Sequence, residues 1–161
     1  PPALEYDLTW LVENDPGSHE VTLVHGDYRT GNRLVADGHL SVSLDWEFAH
    51  WGDPHEDVGW FCAKCWRFAN PGLEAGGIAQ RSALLDGYRS IGGDRLDEAQ
   101  LPYWEILAAA KWAAIAVLQG DRYRLGGEAS IELALTGLMA SELELEALDG
   151  IAAFEGGSAR Q

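Results

Sequence analysis

Three polar residues with a definite spacing follow an apolar run near the start of the chain. The run 21–24 leads into a His-Gly-Asp sequence that contains His25 and Asp27, and Asn32 follows five residues after Asp27. A second aspartate, Asp45, comes later in the same region. An aspartate can accept the proton of an attacking hydroxyl, and Mg²⁺ prefers oxygen ligands such as asparagine and aspartate side chains. The spacing is therefore typical of phosphoryl transfer, with Asp27 as base and Asn32 and Asp45 as metal ligands.

These three residues also have structural explanations. Asp and Asn often stabilise turns through their side chains, and a lone aspartate at a strand end is commonly a solvated carboxylate. The presence of Asp45 after a hairpin favours the chemical interpretation, because the Asp, the Asn and the second Asp then occur together in the order that phosphoryl transfer uses.

A β-hairpin is predicted between Asn32 and Asp45. Asp37-Gly38 is a strong signal for a two-residue turn within residues 33–45. The apolar residues that follow alternate with Ser41 and Ser43, which predicts one buried and one exposed face; they are Leu40, Val42 and Leu44. Because antiparallel strands return the chain to its starting point, the hairpin is expected to bring Asp45 beside the loop 23–32.

The rest of the chain has helical patterns. Residues 4–15 predict a helix, because Leu4, Leu8, Leu11 and Val12 are apolar and at helical spacing. Helices are also predicted at 54–68, 77–92, 96–124 and 128–151, within a helical bundle 54–150. Residues 156–161 are expected to form a frayed tail. The predicted class is a mostly helical α+β domain of residues 1–155.

Composition excludes several functions. The 161 residues have a net charge of −15, which disfavours a nucleic-acid partner because phosphate contacts need clustered Lys and Arg. We find no apolar run of about 20 residues and no signal segment, so a soluble, cytoplasmic protein without a membrane is expected. Cys62 and Cys65 form a CxxC pair without a second pair of ligands, which favours packing over a redox or zinc role.

Two stretches together resemble a known family. "LVHGDYRTGNRLV" followed by "LDWEFAHWGDPHEDVGWF" is similar to the catalytic region of the aminoglycoside phosphotransferase family, which has a protein-kinase-like fold. The resemblance is strongest to the kinase-like domains associated with acyl-CoA dehydrogenases, and it continues through "YWEILAAAKWA" and "SIELALTGLMASELE". It implies that the chain is the C-terminal lobe of a kinase-like fold, with a small hairpin that carries the catalytic and metal residues.

The resemblance also implies roles for individual residues. Asp27 corresponds to the base, and Asn32 and Asp45 correspond to the residues that bind Mg²⁺ and, through it, ATP. His25 corresponds to the histidine that orients the loop. Arg29 falls where protein kinases often place a lysine that contacts the transferred phosphate, although a surface salt bridge is an equal alternative.

A second motif follows the hairpin. Asp57 resembles the aspartate at the start of a helix that braces the catalytic loop, and the alternative is a plain favourable charge at a helix N-terminus. Gly52, Asp53 and Pro54 complete the family signature. Four tryptophans follow the loop, and core packing is their ordinary role, with a place in an acceptor pocket as the alternative; they are Trp46, Trp51, Trp60 and Trp66.

The reaction implied by the resemblance is transfer of the ATP γ-phosphate to a hydroxyl of a small molecule, either aminoglycoside-like or another hydroxylated metabolite. The 24 residues before His25 contain one glycine, Gly17, and no lysine. A glycine-rich phosphate loop and a strand lysine are therefore not found there. We expect the N-terminal lobe that clamps ATP to lie outside this chain, and the chain alone to be inactive.

Two other functions are consistent with the residues. One is a metal-dependent hydrolase that uses His and Asp ligands, namely His25, Asp27, His50, Asp53 and His55. Their spacing matches no familiar metal motif. The other is a non-catalytic binding module that retains the kinase motif.

Overall fold

The computed structural model describes residues 1–17 and 20–158. These residues belong to two compact units, one formed by Pro16–Glu105 and the other by residues 1–15 together with those from Ile106 on. The described residues contain six α-helices and two small antiparallel sheets of two strands each. The prediction of a mostly helical α+β domain is confirmed.

Two pairs of strands lie in the unit Pro16–Glu105. Strand β1 (Thr22–Val24) pairs with β4 (His50–Gly52), and β2 (Arg33–Ala36) pairs with β3 (His39–Ser43). The predicted turn joins β2 to β3, with φ values of 52° at Asp37 and 76° at Gly38. Two consecutive positive φ values match the twist of a tight hairpin, which is why Asp-Gly is favoured there. The pairing of β1 with β4 was not predicted.

The burial predicted for the hairpin is wrong for the described residues. The side chains expected on its buried face are between 42% and 53% exposed: Leu40, Val42 and Leu44. A strand face becomes buried only when another element packs on it, and alternation of apolar and polar residues does not supply that element.

Helices α2 (His55–Cys62) and α3 (Arg81–Gly92) contribute to the core of this unit. The core cluster is apolar and contains Val58, Cys62, Leu85, Leu96 and Leu101. The helix predicted at 54–68 ends at Cys62, because Ala63 has extended backbone with ψ of 143°. The Arg67 guanidinium donates two hydrogen bonds to the Cys62 carbonyl, at 3.0 and 2.7 Å, and so satisfies a helix end that would otherwise lack a partner.

Cys62 and Cys65 are both thiols that are not joined in a disulfide. Cys62 is fully buried, and burial raises the pKa of its thiol to about 12. A thiol with such a pKa is protonated at neutral pH and is a poor nucleophile, which agrees with packing as the role of Cys62.

The other unit is helical. It contains α1 (Pro2–Glu13), most of α4 (Leu101–Arg124), α5 (Ile131–Leu138) and α6 (Ala140–Ser158). Helix α1 packs against α6, where the Trp10 ring meets Phe154 edge-on at 5.2 Å and its indole N–H donates to Glu155 at 3.0 Å. The buried face of α1 differs from the predicted stripe, because Leu8 and Val12 are exposed and the buried side chains are Leu4, Asp7, Trp10 and Leu11.

The helix predicted at 128–151 is two helices in the structure. Helix α5 begins after Ser130, whose hydroxyl accepts from the backbone N–H of Glu132, and the chain breaks at Met139 before α6. Gly137 of α5 contacts Gly120 of α4 so closely that a Cβ at Gly137 would lie 2.6 Å from the Gly120 Cα. Helix α6 continues to Ser158, where the sequence predicted a frayed tail, and residues 159–161 of that tail lie outside the described residues.

One helical stretch, Glu98–Arg124, is long and apolar enough to span a bilayer by length and composition. Half of the most apolar part of this stretch is buried inside the protein. A core helix has the same length and composition, so this stretch is only weak evidence for a membrane span.

Candidate active site

The catalytic-loop residues 25–32 lie between β1 and β2 and are tightly packed. Gly26 has φ of +80°, and a Cβ at this position would lie 2.5 Å from the Phe48 carbonyl oxygen. Only glycine combines that backbone conformation with such a close approach. The loop ends in a short 3₁₀ turn, Thr30–Asn32, in which the Asn32 N–H donates to the Arg29 carbonyl.

Three side chains donate hydrogen bonds to the Asp27 carboxylate. Asn32 Nδ2 donates to Oδ2 at 2.7 Å, Arg29 Nε donates to Oδ2 at 3.1 Å, and Trp60 Nε1 donates to Oδ1 at 2.9 Å. The Asp27 side chain is 13% exposed, so the carboxylate is accessible yet fixed in orientation. Fixed geometry of this kind suits a base that must meet one proton.

Asn32 is buried, and its side chain links the end of the loop to Asp27 near its start. Its Nδ2 also donates to the Asp27 backbone carbonyl at 3.0 Å. The amide nitrogen of Asn32 donates both hydrogen bonds. Its amide oxygen has no hydrogen-bond partner among the described residues. An amide oxygen held in this way is a suitable ligand for a hard cation such as Mg²⁺.

The end of the hairpin is hydrogen-bonded to the catalytic loop through both the N–H and the carbonyl of Leu44. The Leu44 backbone N–H donates to the Asn32 carbonyl at 2.9 Å, and His25 Nε2 lies 2.8 Å from the Leu44 carbonyl. The residue that follows, Asp45, is exposed and has a left-handed backbone with φ of 67°. Asp45 therefore directly follows a residue whose backbone contacts both Asn32 and His25.

His25 is 2% exposed and takes part in the backbone structure of the loop. Its Nδ1 accepts from the Asp27 N–H at 3.3 Å, so the ring proton is on Nε2 and points to the Leu44 carbonyl. Its ring centroid lies 4.5 Å from that of Trp46. These contacts suit an orienting residue rather than one that exchanges protons.

Asp57 lies at the start of α2 and contacts the backbone of the loop. Its carboxylate accepts from the His25 N–H at 2.7 Å and from the Gly26 N–H at 3.0 Å. Burial raises the pKa of the Asp57 carboxyl above its ordinary value, and the two N–H donors oppose that rise. This is the type of contact that the resemblance implies for a bracing residue.

The Arg29 guanidinium lies over an aromatic ring. Its guanidinium carbon is 5.1 Å from the centre of the Trp66 ring, and its side chain is 30% exposed. The Nε contact to Asp27 leaves the two terminal nitrogens without a hydrogen-bond partner among the described residues. Those nitrogens have the fork geometry that suits a phosphate.

Two residues near the loop were not identified from the sequence as contributors to the site. Trp60 was named only among four tryptophans, for which core packing or a place in an acceptor pocket was expected. It lies one helical turn after Asp57 on α2, and this i, i+3 spacing is the signal that could have placed both on the face toward the loop. Arg33, half-buried, stacks its guanidinium 3.1 Å from the centre of the Tyr28 ring, and burial lowers its pKa.

The residues of the alternative hydrolase site are not brought together. His50 contacts Glu56 and His55 contacts Asp53, while the His25 ring faces the Leu44 carbonyl. Within residues 1–17 and 20–158, no group of three His, Cys, Asp or Glu side chains could hold a metal ion. The geometry therefore gives the hydrolase hypothesis no support.

A mostly helical lobe with an aspartate-asparagine loop and a hairpin that returns to it is the arrangement of a kinase-like phosphotransferase. The sequence model of the phosphotransferase enzyme family matches residues 2–115, which is more than half of the chain, and the chain belongs to that family. The resemblance recognised in the sequence is confirmed.

Three known proteins are similar to this chain over part of their length. The mouse protein acyl-CoA dehydrogenase family member 10 is 40% identical over 63 residues, which cover 38% of this chain and 6% of that protein. A crystal structure from Ralstonia eutropha, provisionally described as an aminoglycoside phosphotransferase, matches 92% of this chain with a TM-score of 0.74 and 21% identity. A thermostable mutant of aminoglycoside phosphotransferase APH(4)-Ia matches 94% with a TM-score of 0.57 and 17% identity.

These structural matches show the fold. This chain spans 48% of the first solved structure and 43% of the second, and a much smaller part of the mouse protein. The chain therefore corresponds to less than half of each of these relatives.

Proposed function

We propose that this chain is the catalytic part of an ATP-dependent phosphotransferase that moves the γ-phosphate to a hydroxyl of a small molecule. Asp27 acts as the base that accepts the hydroxyl proton. The observation that carries the proposal is the contact between Asn32 and Asp27, because one amide fixes the carboxylate through its nitrogen and keeps its oxygen for a cation. Family membership supports the reaction class.

Mg²⁺ fits the residues at this site. The free amide oxygen of Asn32 and the exposed carboxylate of Asp45 are both hard oxygen donors. When bound, Mg²⁺ neutralises the charge that develops on the ATP phosphates. The protein's own contribution is to hold Asp27 in place and to present the terminal nitrogens of Arg29 to the transferred phosphate. His25 and Asp57 support this arrangement by orienting the loop backbone.

The remaining parts of the proposal concern partners. We propose that residues outside this chain clamp the ATP phosphates, since the chain spans less than half of the solved relatives. The acceptor is aminoglycoside-like or another hydroxylated metabolite, and the net charge of −15 argues against a nucleic acid. Because half of the apolar stretch within Glu98–Arg124 is buried like a core helix, we propose a cytoplasmic location.

The proposal is tested with the complete protein that carries this chain, using a panel of hydroxylated acceptors, ATP and Mg²⁺. Asp27→Asn keeps the shape of the side chain and removes the base, so the rate should fall by roughly 10²- to 10⁴-fold. Asp37→Asn in the exposed hairpin turn is the matched control and should retain the wild-type rate. Phosphate transfer that persists unchanged in Asp27→Asn would refute the role of the base.

Two further measurements separate the proposal from its alternatives. Binding of Mg²⁺-ATP that is lost in Asp45→Ala, without turnover of any acceptor, would identify a non-catalytic binding module. The chain of 161 residues assayed alone should have negligible activity, and a turnover of about 1 s⁻¹, the lower end for kinases, would refute the requirement for a second part.

A further inference from the structure

We propose that Trp60 is the positioning residue that aims the Asp27 base, and that the acceptor hydroxyl meets Oδ1 of Asp27. The inference rests on the proposed phosphotransfer reaction. Its starting point is the indole N–H of Trp60, which donates to Asp27 Oδ1 at 2.9 Å across a sequence separation of 33 residues.

The two carboxylate oxygens of Asp27 are not equivalent. A carboxylate oxygen can accept about two hydrogen bonds, one for each lone pair. Oδ2 already accepts two, from Asn32 and Arg29, whereas Oδ1 accepts one, from Trp60. The remaining lone pair on Oδ1 is therefore the place at which a hydroxyl can donate without displacing a contact.

Trp60 is fixed firmly enough to determine where that lone pair points. Its side chain is 3% exposed, and its ring centroid lies 5.4 Å from that of Trp66, which is 7% exposed. Trp66 in turn supports the guanidinium of Arg29. The indole cannot leave Oδ1 without disturbing this packed group, so the carboxylate has one orientation and not a range of rotamers.

Trp60 belongs to the same helix as Asp57, one turn further on. Asp57 holds the backbone of His25 and Gly26, and Trp60 holds the side chain of Asp27. Helix α2 thus fixes both the loop and the direction of its reactive group. In the reaction, the proton of the acceptor hydroxyl passes to Oδ1 of Asp27 while the hydroxyl oxygen forms a bond to the γ-phosphorus. The bond between the γ-phosphorus and ADP breaks, and ADP leaves with its electrons.

The experiment compares two Trp→Phe variants of the complete protein. Trp60→Phe keeps an aromatic ring and removes the N–H. Trp10→Phe removes the same type of bond, a buried indole N–H on a carboxylate, at a place where Asp27 is not involved. We expect kcat to fall roughly 10- to 100-fold in Trp60→Phe, with the KM for ATP within about twofold of wild type, because a misaimed base slows the chemical step. Trp10→Phe should keep the wild-type kcat.

A second measurement does not depend on activity. The ¹H–¹⁵N signal of the Trp60 indole, identified by its loss in Trp60→Phe, should shift in Asp27→Asn, whereas the Trp10 signal should not. Equal kcat values in the two Trp→Phe variants would overturn the positioning role and leave the proposed function intact, and so would a Trp60 signal that is unchanged in Asp27→Asn. A wild-type protein that is inactive on every acceptor would refute the proposed function and this inference with it.

Discussion

Asp7 on α1 allows a quantitative prediction about stability. Its side chain is fully buried, and neither carboxylate oxygen has a hydrogen-bond partner among the described residues. Burial, and to a smaller degree the negative charge of Glu144 on α6, raises the pKa of the Asp7 carboxyl from 3.8 to about 6. An unpaired buried carboxylate is costly, so the folded protein keeps this group protonated to a higher pH than the unfolded chain does.

The size of the effect follows from the pKa values. A difference of about two pKa units, at 1.36 kcal/mol per unit, corresponds to roughly 3 kcal/mol. Because the pKa is raised in the folded state, the protonated folded form is favoured at low pH, and this contribution is lost as the pH rises from about 4 to about 6. The penalty is complete and constant only well above pH 6, where the folded protein is also ionised at Asp7.

Asp7→Asn tests this because asparagine cannot ionise. The free energy of unfolding of the variant minus that of wild type, measured by urea denaturation, should increase by roughly 2–3 kcal/mol between pH 4 and pH 7. Using the difference cancels the titration of all other carboxylates. Glu13→Gln, an exposed substitution on the same helix, is the matched control.

The reasoning would be refuted if the difference in free energy of unfolding between Asp7→Asn and wild type changed by less than about 0.5 kcal/mol across this pH range. A change of that size is expected of an ordinary surface substitution. A difference that becomes less favourable with rising pH would be a stronger contradiction. It would mean that the Asp7 carboxylate is stabilised in its ionised form, as by an ion pair.

Two other predictions concern the unit Pro16–Glu105. Gly26→Ala should destabilise the protein by several kcal/mol more than Gly38→Ala in urea denaturation, because both glycines have positive φ but only a Cβ at Gly26 would meet the Phe48 carbonyl; equal effects would contradict the close approach. In a thiol-reagent assay at pH 8, Cys65 should react in the folded protein whereas Cys62 should react only after unfolding, because burial raises the pKa of Cys62 to about 12; two fast thiols in the folded state would contradict this.

The local parts of the fold were predictable because local sequence determines them. The Asp37-Gly38 turn needs two residues that tolerate positive φ, and the sequence supplies them. The spacing of His25, Asp27 and Asn32 could also be identified directly in the sequence. The end of α2 at Cys62 was not, because it depends on Arg67 reaching back to the helix carbonyl, and the break at Met139 was not, because residues of that stretch are helix formers on both sides.

Contacts between distant residues were beyond the sequence. The bond from Trp60 to Asp27 depends on how α2 packs against the loop, and no periodicity reveals which of four tryptophans makes it. The buried face of α1 was misassigned because the pattern gave weight to apolar residues, while the structure buries Asp7 and exposes Val12. The exposure of the hairpin likewise depends on which element covers it, and that lies outside the strand's own pattern.

Asp45 adopts a backbone conformation that costs free energy. A left-handed conformation at a residue with a Cβ costs on the order of 1 kcal/mol, which glycine would not incur. Selection for robustness alone would prefer glycine at this position. If Asp45 binds Mg²⁺ as proposed, the metal site would account for a carboxylate at a position where glycine would be less strained.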